Sequence, residues 1–340
     1  MKSEGVNKAR RRLSRREFTK ISLLAAAVVG TAGISVYGIS NAKRLRTLNN
    51  YLRMGHCAPT VMKTLLDING IPDTGLVTSS AALAGGIAGP GMECGVLTAP
   101  LMYMGFRNEN LSGLPEQLKI ISIAQSYINE FNRLNGSAVC INIRKGGMES
   151  CKEAVCSFYK PFIEAGSNPL ILPVETLESY SMLLEAFNKR EFHCSHNVFN
   201  NLKDKTQITK ELLDASWLFT GGISLLNRTC DALTAGVMAI SSETAKIEKS
   251  YFRVARMNRL FREENNEAMN NEINNFNKAI NYSRELGLWF RNEFGSTTCY
   301  DICGLNFSRI KDAQQYISGN CIGRCERIAE KVAEKVNAIT

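Results

Sequence analysis

Histidine is scarce in this chain, with 3 residues among 340, and several familiar motifs of enzymes and redox proteins are missing. So few histidines argue against a zinc hydrolase and against acid–base catalysis by histidine. No Cys-x-x-Cys pair occurs, which excludes the ferredoxin and thioredoxin patterns, and no Cys-x-x-Cys-His occurs, which excludes covalent attachment of c-type haem. Gly-x-Ser-x-Gly and His-Glu-x-x-His are also missing, so the sequence gives no positive case for a hydrolase.

A basic surface for nucleic acid is missing as well. The net charge is +9, but residues 1–42 hold eight Lys/Arg and two Asp/Glu, which leaves 33 basic and 30 acidic residues in the remainder. The charge belongs to the N-terminal segment, and we expect no nucleic-acid partner. A hydrophobic share of 44% and a charged share of 21% are typical of a folded globular chain. Only one long apolar run exists, which excludes a polytopic membrane protein.

Residues 1–42 are predicted to form an export signal. They contain a sequence that resembles the twin-arginine signature, Ser14-Arg15-Arg16-Glu17-Phe18-Thr19-Lys20, followed by an apolar run over 21–39. Cleavage after Ala42 and retention of 21–39 as a membrane anchor are both open, because about 20 apolar residues can span a bilayer. The resemblance implies the twin-arginine translocase as a partner and a periplasmic or extracytoplasmic location. It also favours a cofactor, because this route carries folded proteins.

The rest of the chain repeats itself. An offset of 136 or 137 residues relates His56-Cys57 to His193-Cys194, Gly85-Gly86-Ile87 to Gly221-Gly222-Ile223, and Cys94 with Leu97-Thr98-Ala99 to Cys230 with Leu233-Thr234-Ala235. Further on, Phe131, Gly136-Ser137 and Cys140 match Phe290, Gly295-Ser296 and Cys299 at an offset of 159. The second copy therefore holds an insertion of about 23 residues, which we place in 240–285. We predict two repeats, at 45–187 and 188–340, packed together because no Pro- or Gly-rich linker separates them.

The periodicity predicts an all-α fold made of these two tandem helical repeats. Apolar residues step by three and four along 114–134, along the long stretch 245–288 and along 321–336, as on one face of a helix. We expect one long helix through 245–288 because no proline interrupts it. The only short candidate strand is Ser137–Ile143. Glycines at 85–91 and 221–222 are expected to form turns between helices.

All eleven cysteines are candidate metal ligands: Cys57, Cys94, Cys140, Cys151, Cys156, Cys194, Cys230, Cys299, Cys303, Cys321 and Cys325. In each repeat, three repeated cysteines are followed by a terminal pair of cysteines that would supply the fourth ligand. The fourth ligand is Cys151 or Cys156 in the first repeat and Cys321 or Cys325 in the second. Four converging thiolates suit an iron–sulfur cluster or tetrahedral zinc. His56 and His193 are interpreted as packed structural residues in preference to ligands.

The pattern resembles the C_GCAxxG_C_C family of redox-active proteins. The residues that carry the likeness are Cys57, Gly85-Gly86, Cys94-Gly95-Val96-Leu97-Thr98-Ala99, Cys140, and Cys151 or Cys156. The likeness covers about 45–165, and a degenerate copy covers about 190–335, where Asp231 replaces the glycine. The family is similar to the cysteine domain of split-Soret cytochromes, so the resemblance implies a small helical fold and redox or metal chemistry. It does not imply a substrate.

Three functions follow from these residues. The favoured one is an exported electron-transfer protein with one iron–sulfur cluster per repeat and an unidentified redox partner protein. The second is a thiol–disulfide redox protein or sensor, since exported proteins work where disulfides persist. The third is a non-catalytic helical scaffold with structural disulfides or zinc. The sequence assigns no catalytic residue and does not decide whether the protein is an enzyme.

Overall fold

The structure is a computed structural model that describes residues 33–87, 91–108, 111–202, 208–263 and 266–340. The twin-arginine motif and most of the apolar run that follows it lie outside these residues. Residues Lys43–Thr340 form one compact unit that contains both repeats. No helix within the described ranges is long and apolar enough to cross a membrane.

The first repeat is built from helices, as the sequence predicts. They are α1 (Gly33–Met54), α2 (Cys57–Ile68), α3 (Leu76–Ser79), a 3-10 turn (Ala81–Leu83), α4 (Gly95–Arg107), α5 (Leu114–Asn135), α6 (Cys140–Arg144), α7 (Gly147–Ser157), α8 (Tyr159–Ser167) and α9 (Val174–Lys189). Helix α5 shows why the periodicity succeeds: Pro115 lies in its first turn, Gly136 ends it in the left-handed conformation, and Ile121, Ile128 and Phe131 are buried on one face.

The second repeat keeps the order of the cysteine-bearing elements of the first and adds further helices between them. Its helices are α10 (Cys194–Leu202), α11 (Lys210–Ala215), α12 (Asp231–Thr244), α13 (Tyr251–Arg262), α14 (Asn266–Asn277), α15 (Ala279–Phe294), α16 (Cys299–Cys303), α17 (Ile310–Ser318) and α18 (Cys321–Ile339). Helix α15 ends at Gly295 in the left-handed conformation, as α5 ends at Gly136. Helices α13 and α14 occupy the region where the sequence places the insertion.

Backbone hydrogen bonds confirm that the two repeats share one local structure. The amide of Cys94 donates to Ala138 O at 2.9 Å, and the amide of Cys230 donates to Thr297 O at 2.8 Å. In the same way, the amide of Cys140 donates to Met92 O and that of Cys299 to Arg228 O, both at 2.6 Å. Each pair obeys the offset read from the sequence, so the duplication extends to the loops that carry the cysteines.

The repeats pack against each other as the halves of a symmetric dimer would. Helix α4 packs on α11, while α12, the counterpart of α4, packs on α3 and the 3-10 turn, the counterparts of α11 and the turn that follows it. This reciprocal exchange is the mark of an approximate two-fold axis. Near that axis the equivalent residues Glu93 and Thr229 meet: the Thr229 hydroxyl donates to the buried Glu93 carboxylate, and the Arg228 guanidinium lies 3.7 Å from it.

Two predictions about secondary structure are wrong. Ser137–Ile143 forms no strand, since Val139 makes only an isolated antiparallel bridge with Glu93 and the chain enters α6 at Cys140. The stretch 245–288 is not one helix but a non-helical segment followed by α13, α14 and α15. Polar contacts overrule the periodicity at its start: the Ser250 hydroxyl accepts from the Arg253 amide, and the Ser250 amide donates to Arg53 O at 2.8 Å.

Candidate functional site

Four cysteines of the first repeat lie near one another, three of them at the starts of helices. Cys57 begins α2, Cys94 precedes the first residue of α4, Cys140 begins α6, and Cys151 lies in α7, which packs on α2. Burial raises the pKa of Cys94 well above its usual value, and the nearby Cys57, Cys140 and Cys151 add to the increase. Burial also raises the pKa of Cys140 to about 12, with Cys57 and Cys151 acting in the same direction. We call these four residues the first cysteine cluster.

Cys156 does not belong to this cluster. Burial raises the pKa of its thiol, and the charged groups that act on it are Arg44, Glu153 and Lys152, with no cysteine among them. Cys151, in contrast, acts on Cys57, Cys94 and Cys140. Of the two alternatives that the sequence left open, the structure therefore brings Cys151 to the other three.

The second repeat forms a larger cluster around a small cavity of about 20 Å³. Five sulfur-bearing residues line this cavity: Cys194, Cys230, Cys299, Cys303 and Cys325. We call them the second cysteine cluster. Burial raises the pKa of Cys325 to about 11, and the Tyr316 hydroxyl donates to its Sγ at 3.1 Å. Cys321 begins α18 outside the lining of the cavity, so Cys325 is the counterpart of Cys151.

Backbone amides point at equivalent sulfurs in the two clusters. Burial raises the pKa of Cys57 to about 11, and the amide of Gly85 opposes the increase. Burial likewise raises the pKa of Cys194, opposed by the amide of Gly221. Amides at the starts of α4 and α12 act in the same way on Cys94 and Cys230. Such N–H donors favour a charged sulfur and tune the potential of a metal bound to it.

The repeated glycines are required because the chain passes very close to the cysteines. A Cβ on Gly86, at φ +85°, would lie 2.6 Å from Cys140 Cβ, and one on Gly222, at φ +74°, would lie 2.6 Å from Cys299 Cβ. A Cβ on Gly95 would lie 2.8 Å from Cys57 Sγ. The glycines of the motif thus provide the space in which the thiols converge.

Of the equivalent positions that differ between the repeats, three have side chains next to the second cluster. Asp231 replaces Gly95, Cys303 replaces Arg144, and Asn227 replaces Gly91. The Asp231 carboxylate is buried and accepts from the amides of Gly222 at 2.6 Å and Ile223 at 3.0 Å. Burial raises the pKa of Asp231 well above its usual value, while these two amides oppose the increase.

Cys299 and Cys303 form a close pair at the edge of the second cluster. The Asn227 carboxamide donates from Nδ2 towards both sulfurs, each at 3.9 Å, and to Leu305 O at 3.0 Å. A hydrogen bond between the two thiols lowers the pKa of Cys303 to about 7 and raises that of Cys299 well above its usual value. The cationic Arg324 also favours the charged form of Cys303.

The histidines next to the clusters contact aromatic rings, a backbone carbonyl and a hydroxyl. His56 is buried and packs against Phe276 with ring centroids 5.0 Å apart, and burial lowers its pKa to about 4. The His193 ring meets Trp217 O at 2.9 Å through Nε2 and the Ser195 hydroxyl at 3.1 Å through Nδ1. Neither ring is directed to a sulfur by these contacts, which agrees with the interpretation from the sequence.

The two clusters fit a soft metal by the chemistry of their donors. Each has four equivalent thiols, three at helix starts and one within a helix, with glycine loops and N–H groups beside them, and thiolates select iron–sulfur clusters or zinc. Within the described ranges, no group of three or more His, Cys, Asp or Glu side chains is arranged in the geometry of the ligands of a metal ion. The thiols of a cluster thus influence one another's charge without being drawn around one point.

Comparison with protein families agrees with this architecture. Residues 55–163 and residues 192–339 each match the family model described as "Putative redox-active protein (C_GCAxxG_C_C)". The chain belongs to this family. The two matches to C_GCAxxG_C_C cover most of the chain and coincide with the two structural repeats, which confirms the duplication. Comparisons with curated proteins and with solved structures gave no match.

Sequence reasoning missed two features of the C_GCAxxG_C_C sites. Asn227 and Asp231 were not proposed as site residues, although aligning the two repeats places each opposite a glycine that lies near a cysteine. The contact between Glu93 and Thr229 left no signal in the sequence, because it depends on how the two repeats pack. Since these residues directly precede Cys94 and Cys230, the contact joins the two clusters through a few bonds.

Proposed function

We propose that this protein is an exported electron-transfer protein that holds one iron–sulfur cluster in each repeat. Its membership of a redox-active family supports the redox part of this proposal. The observation that carries the metal part is that four equivalent cysteines lie near one another in each repeat. Their sequence separations differ widely, so ordinary helix packing does not require them to meet.

The proposed ligands of the first site are Cys57, Cys94, Cys140 and Cys151. The equivalent set in the second repeat is Cys194, Cys230, Cys299 and Cys325. An iron–sulfur cluster held by four thiolates supplies one-electron chemistry, whose potential depends on burial and on hydrogen bonds to sulfur. The residues of this chain would contribute both controls: the helices around each site bury the thiols, and the amides of Gly85 and Gly221 donate to equivalent sulfurs.

Two coupled centres suit a protein that passes electrons. The Glu93–Thr229 contact links the residues directly before Cys94 and Cys230. Two side chains in hydrogen-bond contact, with one peptide unit on each side, hold the Cα atoms of these two cysteines within about 20 Å of each other. An electron that enters one repeat could therefore pass to the other without leaving the protein.

The proposed location is outside the cytoplasm, reached by the twin-arginine route, with an unidentified redox protein as the partner. The Arg15-Arg16 pair and the apolar run over 21–39 support this part of the proposal. Replacing both arginines by lysine should leave the protein in the cytoplasmic fraction. Persistence of the variant in the periplasmic or membrane fraction at the wild-type level would contradict the route.

Anaerobic expression followed by iron and acid-labile sulfide analysis tests the cofactor. We expect iron and sulfide for two clusters, with visible absorbance that bleaches on reduction. Cys151→Ser should lose the first cluster, and its matched control Cys156→Ser should keep both, because Cys156 has no cysteine among its charged neighbours. Stoichiometric zinc, or no metal at all, would overturn the proposal.

A further inference from the structure

The second cysteine cluster contains one thiol more than four ligands require. Four of its five cysteines have an equivalent cysteine in the first repeat. The fifth is Cys303, and the equivalent residue in the first repeat is Arg144. Asn227, whose side chain reaches Cys303, is likewise new, since the equivalent residue is Gly91. The second repeat has therefore gained a thiol and a side chain that holds it.

Cys299 and Cys303 lie close enough to be joined by a disulfide after a small local adjustment. They are the first and last residues of the single-turn helix α16, so their Cα atoms are about 6 Å apart, in the upper part of the range that a disulfide spans, and their Cβ atoms must approach by about 1–2 Å. Asn227 Nδ2 lies 3.9 Å from each sulfur, so one donor holds both on the same side. The carboxamide is itself fixed, because its Oδ1 accepts from the Phe307 amide at 2.8 Å.

The Cys303 end of this pair is open to the surroundings. Cys303 is half-buried, Tyr300 in the same helix is 52% exposed, and a Cβ added to Gly304 would have no atom within 4 Å. A small molecule would reach Cys303 first, because it is the less deeply buried of the two cysteines. Cys299 is more deeply buried, and both cysteines line the cavity with the others of the cluster.

We propose that Cys299 and Cys303 form a dithiol–disulfide couple that reacts with low-molecular-weight disulfides. The Cys303 sulfur attacks one sulfur of the external disulfide, which breaks its S–S bond and releases the first thiol. The Cys299 sulfur then attacks Cys303 Sγ, forms the internal disulfide and releases the second thiol. The protein loses two electrons and two protons, and the external disulfide gains them as two thiols.

This reaction has a consequence that rests on the proposed function. Cys299 is a proposed ligand of the second site, so its oxidation would remove one thiolate from that site and leave the first site intact. External disulfides would then release the metal of the second repeat, while the first repeat kept its cluster. The disulfide itself does not depend on the metal, because it needs only the two sulfurs and their holder, Asn227.

Peptide mapping of the full chain after treatment with oxidised glutathione tests the couple. Trypsin releases residues 292–309 as one peptide, which contains Cys299 and Cys303 and no other cysteine. We expect this peptide to lose two hydrogen atoms in mass. In the equivalent peptide 134–144, Arg144 stands in place of the second cysteine, so Cys140 should remain a free thiol. A free dithiol in 292–309 when other cysteines are oxidised would overturn the proposal.

Two variants distinguish the attack by Cys303 from the attack by Cys299. An iron assay distinguishes the disulfide couple from the proposed iron–sulfur clusters. Cys299→Ser should trap one glutathione on Cys303, whereas Cys303→Ser should prevent modification of 292–309. Cys321→Ser, outside the lining of the cavity, should behave as the wild type. Loss of about half the iron on oxidation would support the consequence for the second site. An internal disulfide in a protein without iron would refute the proposed clusters and leave the couple intact.

Discussion

Replacing Gly86 by alanine should destabilise the protein more than the same change at another left-handed glycine. At Gly86 the added Cβ would lie 2.6 Å from Cys140 Cβ and 2.7 Å from the Met92 amide nitrogen, and φ is +85°. The left-handed conformation alone costs a non-glycine residue about 1–2 kcal/mol. The forced contacts add about 1–3 kcal/mol, as in other overpacked sites. We therefore expect a loss of about 2–5 kcal/mol in the free energy of unfolding.

Gly136 provides the matched control for this experiment. It has φ +71° and ends a helix of the same repeat, but a Cβ there would meet no atom within 4 Å. Gly136→Ala should therefore show only the conformational cost of about 1–2 kcal/mol. Urea unfolding of the metal-free, reduced proteins measures both values. Equal losses for the two variants would refute the claim that the glycine makes room for Cys140.

Three further predictions concern buried polar groups. Asp231→Ala should cost about 2–4 kcal/mol, because two buried amides lose their acceptor; a change under 1 kcal/mol in urea unfolding would contradict this role. Glu93→Ala should lower the free energy of unfolding by about 1–3 kcal/mol, because Glu93 is buried between the repeats. Its control, Glu153→Ala, removes an exposed ion pair and should lower it by under about 1 kcal/mol. Equal losses would show that Glu93 does not help to join the repeats. His56 should lower the free energy of unfolding by about 3 kcal/mol as the pH falls from 6.5 to about 4. In this range the histidine takes up a proton in the unfolded chain but not in the folded one, because burial lowers its pKa. His56→Gln should reduce this slope, and an unchanged slope would show that other groups cause it.

Much of the fold could be predicted from the sequence, because both the apolar spacing and the repeated motifs indicate the same elements. Apolar spacing predicted α5 and α18 closely, and the constant offset located the loops that carry the cysteines. The periodicity failed at 245–250, which is not helical, because the Ser250 cap and its contact with Arg53 start α13 only at Tyr251. Spacing alone cannot detect such a break, since the side chains on both sides remain compatible with one apolar face.

The cysteine sites were predictable in kind but not in every member. Cys151 and Cys156 are five residues apart in α7, which turns their side chains about 140° from each other, so only one can face α2. The sequence could not tell which, because that depends on how α7 packs. Cys321 and Cys325 pose a different problem, because four residues of α18 turn their side chains only about 40° apart and leave both on one face. Only packing decides that Cys325, one turn further along, lines the cavity.

The meeting of Glu93 with Thr229 bears on the origin of the molecule. When equivalent residues of two halves touch each other, each half already presents a self-complementary surface, as identical subunits do. A fused chain inherits that surface and no longer has to keep both halves alike. One half could then retain the plain glycines of the motif, while the other exchanged them for aspartate and asparagine and added a thiol. Fusion thus gave this molecule two unlike sites at a fixed separation, an arrangement closed to a pair of identical chains.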